Sequence, residues 1–496
     1  MVPKWCLNGG VEALPSNGGF LPRYHVIIAG GEVLDPANTM HGVADIGIAD
    51  GKIVEVAPEL DRDAAREVID ASGSWVMPGL IDTHTHFVGA ASTWNPALGY
   101  RALARAGTTT AIDFGGTPEQ LIDSMRKRGS GLNAGGLFIM NPEMTIPQDD
   151  PPPRAIREIV AGALEGGALG IKMSGGYHPF TPEVTANTIA ACNAQRAYVA
   201  FHVGTKESGS RIDGLREVPA LVGNGRLHVA HINAYCRGSI NRPEDECDEA
   251  LQILIAKKGQ YVSEVHQAIP NGTQGRCDKN GNVLANVAQN CLRLRGYEIT
   301  ADGIRQAIKD GYASAIQEKN DRVVYVGGDQ ALALFNESGT DVSLTFPVNL
   351  PSSAFRLTTA RDDDGDFVID AVCTDGGWHP RNIAIESTMA LVKFGALSPS
   401  DMAEKLSWNP SRMFGLLNKG HFSPGADADV TVIDPEVGRA TIGMVAGMTI
   451  MKDGESVADG GTVLTTLAGE RAVAESGLPY EVVDLTQSKL YAGYEN

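Results

Sequence analysis

Two histidines one residue apart, His84 and His86, close an apolar run that opens at Trp75. In an extended strand alternate side chains leave the same face, so both imidazoles can converge on one point. Imidazole nitrogens so placed are good ligands for zinc and related divalent ions. Four more residues of ligating type end other apolar runs: Lys172, His202, His231 and Asp375. The chain has only 11 histidines, and such a concentration at run ends argues against chance. Lys172 is the odd member, because an ammonium repels a metal. Carbon dioxide would convert it to a carbamate, whose two oxygens can bridge two cations. Two cations would bring a shared water toward a pKa of ~7, giving hydroxide at neutral pH. Asp375 is then suited to bind one metal and to take the hydroxide's proton.

Groups so far apart in the chain need a scaffold that collects strand ends. Eight apolar runs supply one, at residues 75–81, 109–114, 136–141, 168–173, 198–203, 227–232, 261–266 and 369–374. Helical stretches follow most of them, such as residues 118–128 and 153–165. The pattern predicts an α/β fold, a parallel (β/α)8 TIM barrel whose strand C-termini line the active site. Near-continuous apolar runs suit strands buried on both faces. Residues 268–368 are too long for one crossover. They are expected to form an insertion over the barrel mouth, with a helix at 301–316. Residues 322–326 read as a strand within it, and 362–366 as a solvated turn.

The flanks have another texture. Residues 1–23 read as a loose extension. From 24 to 73 short β-rich runs alternate with turns, Asp50-Gly51 being a hairpin signal. The same texture returns at 428–433, 449–452 and from 454 onward. The organisation predicted is a small β-sandwich domain formed from both chain ends. Its first part is 24–73, the catalytic barrel spans 74–415, and 416–496 supply the second part and a tail.

The 496 residues carry 41 basic and 60 acidic side chains, a formal charge of -19. That surface repels phosphate backbones, so nucleic acid is not an expected partner. The seven cysteines include no CxxC pair, so they are expected to be reduced thiols rather than a disulfide framework or zinc knuckle. Neither a signal peptide nor an apolar run of membrane-spanning length is evident, and a cytoplasmic location without a membrane partner is expected.

The stretch Val76-Met77-Pro78-Gly79-Leu80-Ile81-Asp82-Thr83-His84-Thr85-His86 resembles the signature of the amidohydrolase superfamily. Asn409-Pro410 through Gly425-Ala426-Asp427-Ala428-Asp429 resembles that superfamily's return to its β domain. The resemblance spans residues 24 to 459. It implies a metal-dependent hydrolase of carbon–nitrogen bonds other than peptide bonds, with a binuclear site. His84, His86, Lys172 and Asp375 would hold one metal, and Lys172, His202 and His231 the other. Zinc is the expected ion, manganese and iron being alternatives, with a CO2-derived carbamate on Lys172. Relatives commonly form dimers or tetramers, so a homo-oligomer is expected.

Two subfamilies compete. Lys172 followed by Tyr177 is similar to hydantoinases and dihydropyrimidinases, whose tyrosine there donates to the oxyanion. Such a donor is worth about 3 kcal/mol of barrier. Residues 166–170 and Asp375-Gly376-Gly377, with His379-Pro380-Arg381, resemble N-acyl-D-amino-acid deacylases, which typically bridge with a cysteine and lack the lysine. The favoured substrate is a small cyclic amide, imide or lactam. A mononuclear deaminase, a metal-dependent ester or phosphotriester hydrolase and a non-catalytic scaffold are the other readings. The scaffold should have lost ligands, and this chain has all six.

Candidate substrate contacts are His178, Arg237, His266, His379 and Arg381; Lys206, Arg237 and Arg381 are also candidates to grip a carboxylate. His266 can equally support the site through hydrogen bonds. Trp94 and Trp378 would supply an apolar wall. His228 lies three residues before His231, so strand alternation assigns it to packing. The 115–116 and 175–176 glycine pairs lack the surroundings of a phosphate loop.

Overall fold

The computed structural model describes residues 22–89 and 94–494. All but the last two residues of the expected 1–23 extension therefore lie outside the described residues. Eight parallel strands build a barrel: β1 (Leu80–His86), β2 (Thr108–Asp113), β3 (Ser130–Met140), β4 (Gly170–Ser174), β5 (Tyr198–His202), β6 (Leu227–Val229), β7 (Tyr261–His266) and β8 (Ala371–Cys373). Each pairs with the next in chain order. Gly376 and Gly377 then pair with Thr85 and His86 of β1 and close the ring. A helix follows every strand, among them Pro96–Arg105, Pro118–Arg128 and Pro182–Ala194. Each of these three begins on proline, whose fixed φ suits a first turn where the missing N–H costs no bond.

The first apolar run serves two sheets. Trp75–Pro78 pairs with strands of the small β domain, while the barrel strand starts at Leu80. Gly79 makes the switch: its N–H donates to Asp429 O, and a Cβ there would lie 2.2 Å from Thr109 Oγ1. The small domain is one curled sheet including Tyr24–Asp35, Met40–Ala49, Lys52–Ala57, Val430–Asp434 and Arg439–Val445. It folds over far enough for Ile53 N to donate to Ala426 O at 2.9 Å. Val26, Ile46, Ile48, Val430 and Met444 fill its interior. Beyond it, Gly460–Thr465 runs parallel beside β3 rather than in that sheet. Leu485, Leu490 and Tyr491 pack with Ile81, Ile112 and Leu169 beneath the barrel. The end of the chain thus seals the barrel's base.

The long insertion carries a four-stranded antiparallel sheet: Pro270–Gln274, Ser314–Lys319, Arg322–Val326 and Ser343–Pro347. Ile304, Ile308, Phe335, Leu344 and Phe346 give it a core of its own. The helix expected over 301–316 ends at Lys309. Gly311, at φ +74°, turns the chain into a strand at Ser314. Arg322–Val326 belongs to this sheet and leaves the barrel at eight strands. Among the described residues no helix is long and apolar enough to cross a membrane.

Candidate metal centre

The barrel brings all six expected ligand residues to one end of its bore. His84 Nε2 and His86 Nε2 lie 3.5 and 3.0 Å from Asp375 Oδ1. Lys172 Nζ is 3.5 Å from His84 Nε2. The His231 ring stacks on His84 at 5.1 Å, and His202 meets His231 edge-on at 4.4 Å. Two of the six leave regular strand geometry: His231 at φ +31° and Asp375 at φ +48°. A non-glycine residue pays about 1–3 kcal/mol for that conformation, so the packing around it must enforce it.

Burial governs the protonation of these groups. It pulls His202 and His231 well below the ordinary histidine range. His84 is pushed down to about 3, by burial first and then by Lys172. All three imidazoles are therefore neutral near pH 7, with lone pairs to offer. His231 Nδ1 is buried without a hydrogen-bond partner. Burial opposes ionisation of Asp375, yet the Arg381 guanidinium, 2.6 Å from Oδ2, and then a hydrogen bond from His86 hold its carboxyl well below the usual range. Lys172 is 1% exposed. Among the described residues no carboxylate lies within ion-pair distance of it, and burial draws its pKa down to about 8. Neutral imidazoles, an ionised carboxylate and an unpaired amine fit a pair of divalent cations bridged by a carbamate.

One member of the site escaped the sequence reading. Glu264, on β7, is wholly buried. It accepts from His84 Nδ1 at 2.6 Å, Thr83 Oγ1 at 2.8 Å and His231 N at 3.3 Å. His228 Nε2 lies 2.8 Å from its other oxygen. The available signal was a glutamate inside an apolar strand, a position where an unpaired carboxylate is rare. His228 is accordingly more than packing. β6 ends at Val229 and the chain then turns, so strand alternation does not extend from His228 to His231.

The expected substrate contacts divide. Tyr177 packs edge-on against His202 at 5.6 Å, and its hydroxyl donates to Gly272 O of the insertion at 2.9 Å. Burial raises its pKa to about 12, so it is a neutral donor. Arg237 donates from Nε and Nη2 to Asn349 Oδ1 at 3.0 and 2.6 Å. It has no carboxylate within ion-pair distance among the described residues. His266 lies 5.9 Å from His231, ring to ring. Arg381 grips Asp375 instead of facing open space: Nη2 is 2.6 Å from Oδ2, and Nε donates to the Asp375 carbonyl. Its Nη1 donates to Pro270 O of the insertion.

His379 lies against Gly272, at a spot where an added Cβ would stand 2.3 Å from the imidazole. Trp94 and Trp378 stack at 4.7 Å beside it. His178 sits apart, with Nε2 3.2 Å from Asn141 Nδ2. Lys206 pairs with Asp149 at the surface. The acidic turn is a separate matter, since Lys258 bridges Asp362, Asp364 and Asp366. A cavity of about 380 Å³ beside that turn, lined also by Tyr261, Asp370 and Lys489, lies at the N-terminal ends of β7 and β8. It holds none of the six ligand residues.

Comparison with known proteins gives a family and a fold. The profile of the amidohydrolase family matches residues 75–231 and 350–473, leaving out most of the insertion. A dihydroorotase of Trichlorobacter lovleyi is 24% identical over 438 residues, covering 83% of this chain and 90% of its own. An allantoinase of Rubrobacter xylanophilus is 25% identical over 502 residues, covering 90% of this chain and 97% of its own. Among solved structures, the N-acyl-D-glutamate deacylase of Bordetella bronchiseptica superposes with a TM-score of 0.65 at 17% identity, covering 89% of this chain and 99% of its own. That structure holds zinc and a phosphonate inhibitor that mimics the tetrahedral intermediate.

Proposed function

The chain belongs to the amidohydrolase family, and we propose that it opens a small cyclic amide, imide or lactam at a binuclear zinc site. One observation carries this reading. Lys172 is a buried amine without a carboxylate partner among the described residues, and its Nζ lies 3.5 Å from His84 Nε2. Such an amine is costly to bury charged, and a carbamate bridging two metals gives it a use. In this reading His84, His86, Lys172 and Asp375 hold one ion, and Lys172, His202 and His231 the other. Zinc is supported by the imidazole-rich donor set and by its presence in the Bordetella deacylase structure. When bound, two such cations supply Lewis acidity toward the amide carbonyl and make hydroxide available near neutral pH.

The chain's own residues do the rest. Asp375, kept ionised by Arg381, accepts the proton of the attacking water and passes it to the leaving nitrogen. Tyr177 is a neutral hydroxyl whose hydrogen bond to Gly272 O would be exchanged for one to the oxygen on which charge develops. Among the described residues Arg237 is a guanidinium satisfied by neutral acceptors alone, and it suits a carboxylate on the substrate or on the ring-opened product. Trp94, Trp378 and His379 supply an apolar side, and His266 borders His231. His178, held by Asn141, would touch only a substrate reaching toward β3. We extend the reading to a homo-oligomeric cytoplasmic enzyme, which sizing chromatography and cell fractionation check.

Deacylation of an N-acyl-D-amino acid is the second reading. The structural likeness to the Bordetella deacylase favours it, as does Arg237, which has no carboxylate partner among the described residues. A hydrolysis screen across cyclic imides, lactams, N-acyl and N-carbamoyl amino acids, with metal analysis of the same sample, separates the two. Ring opening by protein carrying two metals per chain is the expected result. Turnover of linear N-acyl substrates alone would favour deacylation. One metal per chain with release of ammonia from an amine would replace both with a deaminase.

A further inference from the structure

Resting on the binuclear reading, we infer that Glu264 is a positioning residue that couples the two halves of the metal centre. In this reading it is not itself a ligand, although it lies with His84 and Cys373 in a group close enough to hold an ion, because its oxygens are taken up by Thr83 and His84 of β1 and by the main chain of His231. Its Oε1 lies 2.6 Å from His84 Nδ1 and accepts from the backbone N–H of His231 at 3.3 Å. The first contact sets a tautomer: with the proton held on Nδ1, the lone pair of His84 lies on Nε2, the nitrogen facing Lys172 and Asp375. The second holds a residue whose backbone sits at φ +31°, a conformation that needs an anchor. One oxygen thus sets the imidazole of a ligand to one ion and the main chain of a ligand to the other.

The second oxygen keeps the carboxylate from turning. Thr83 Oγ1 donates to Oε2 at 2.8 Å, and His228 Nε2 is in ion-pair contact with the same oxygen at 2.8 Å, outside hydrogen-bond alignment. His228 is itself fixed by Tyr198, whose hydroxyl lies 3.2 Å from Nδ1. With Glu264 and His228 both fully buried, no solvent competes for these contacts. The arrangement accounts for a carboxylate in the bore that no lysine or arginine neutralises among the described residues.

Glu264→Gln keeps the size and one acceptor oxygen but removes the charge. The test is a chelator-competed titration of metal-free protein with Co2+ in bicarbonate buffer, read by the visible absorption of the bound ion. Both affinities are expected to fall together by about 10–100-fold, with an altered absorption band. The melting temperature of the metal-free variant should stay close to that of the parent. Two ions bound with the parent's affinities and spectrum, or weakening of one site only, would overturn the coupling while leaving the binuclear reading intact. Parent protein that takes up fewer than two ions would remove that reading and the coupling with it. If Glu264→Gln does not accumulate folded, Glu264→Asp keeps the charge but pulls it back by one methylene, and the same joint loss is expected.

Discussion

Lys172 offers the most searching test of the proposed chemistry. Carbon dioxide reacts only with an unprotonated amine. Burial lowers the pKa of Lys172 from 10.5 to about 8 in the metal-free protein. At pH 7 that leaves about 10% of the amine neutral, against about 0.03% for an ordinary lysine, an advantage of roughly 300-fold. The sign is definite: lower pH protonates the amine and slows capture. At a fixed concentration of dissolved CO2, uptake of a full metal complement by stripped protein should quicken about ninefold from pH 6 to 7. From pH 8 to 9 it should gain only about twofold, because the amine is then largely neutral. Uptake is followed by metal analysis after rapid desalting, and return of hydrolysis is a second readout. Lys172→Ala should take up no bridging pair and stay inactive at any CO2 concentration. A rate that keeps climbing tenfold per pH unit through pH 9 would mean an unperturbed amine. A Lys172→Ala enzyme with full metal and full activity would refute the bridging carbamate outright.

Three other outcomes are expected. Arg237→Met should raise KM about 10–100-fold for substrates bearing a carboxylate, the loss of a charge-assisted contact of about 1.5–3 kcal/mol, and leave neutral ones unchanged; equal effects on both classes would show that Arg237 only supports the insertion. Gly272→Ala would place a methyl 2.3 Å from the His379 ring and push away the strand that Tyr177 and Arg381 hold, so kcat/KM should drop at least tenfold with little change in melting temperature. Lys405 is buried with its pKa lowered to about 7, by burial first, and donates to Ile369 O at 2.7 Å. The cost of burying it is full below pH 7 and is relieved between about pH 7 and 10.5, where the unfolded chain binds the extra proton. At about 1.4 kcal/mol per unit this is several kcal/mol, against about 1–3 for the orphaned carbonyl. Denaturant titration should therefore find Lys405→Met stabilising at pH 6 and destabilising at pH 10.

What could be read in advance followed from short-range periodicity. Alternation along a strand put His84 and His86 on one face, and the rule that barrel sites lie at strand C-termini collected Lys172, His202, His231 and Asp375 from positions spread over about 200 residues. Both are local patterns combined with one global rule of architecture. The errors lie where a local pattern serves two masters or where partners meet from afar. The run at 75–81 is apolar throughout because both of its sheets are buried, and only Gly79 betrays the switch between them. Glu264 stands 180 residues from His84, so nothing in its own strand announces which groups it holds. Arg381 illustrates the converse. Its spacing after Asp375 was visible and suggested a substrate grip, but the turn at Asp375, φ +48°, folds the guanidinium back onto that carboxylate. The same contact bears on the chemistry. In the proposed reaction a carboxylate that held a metal and also carried an arginine would be a weaker base, so proton transfer by Asp375 would require one of those partners to loosen as charge moves to the leaving nitrogen. Arg381 is the partner that the insertion can reach, because its Nη1 donates to Pro270 O at the insertion's edge. Movement of that strand would therefore alter the basicity of Asp375 without touching a metal ligand.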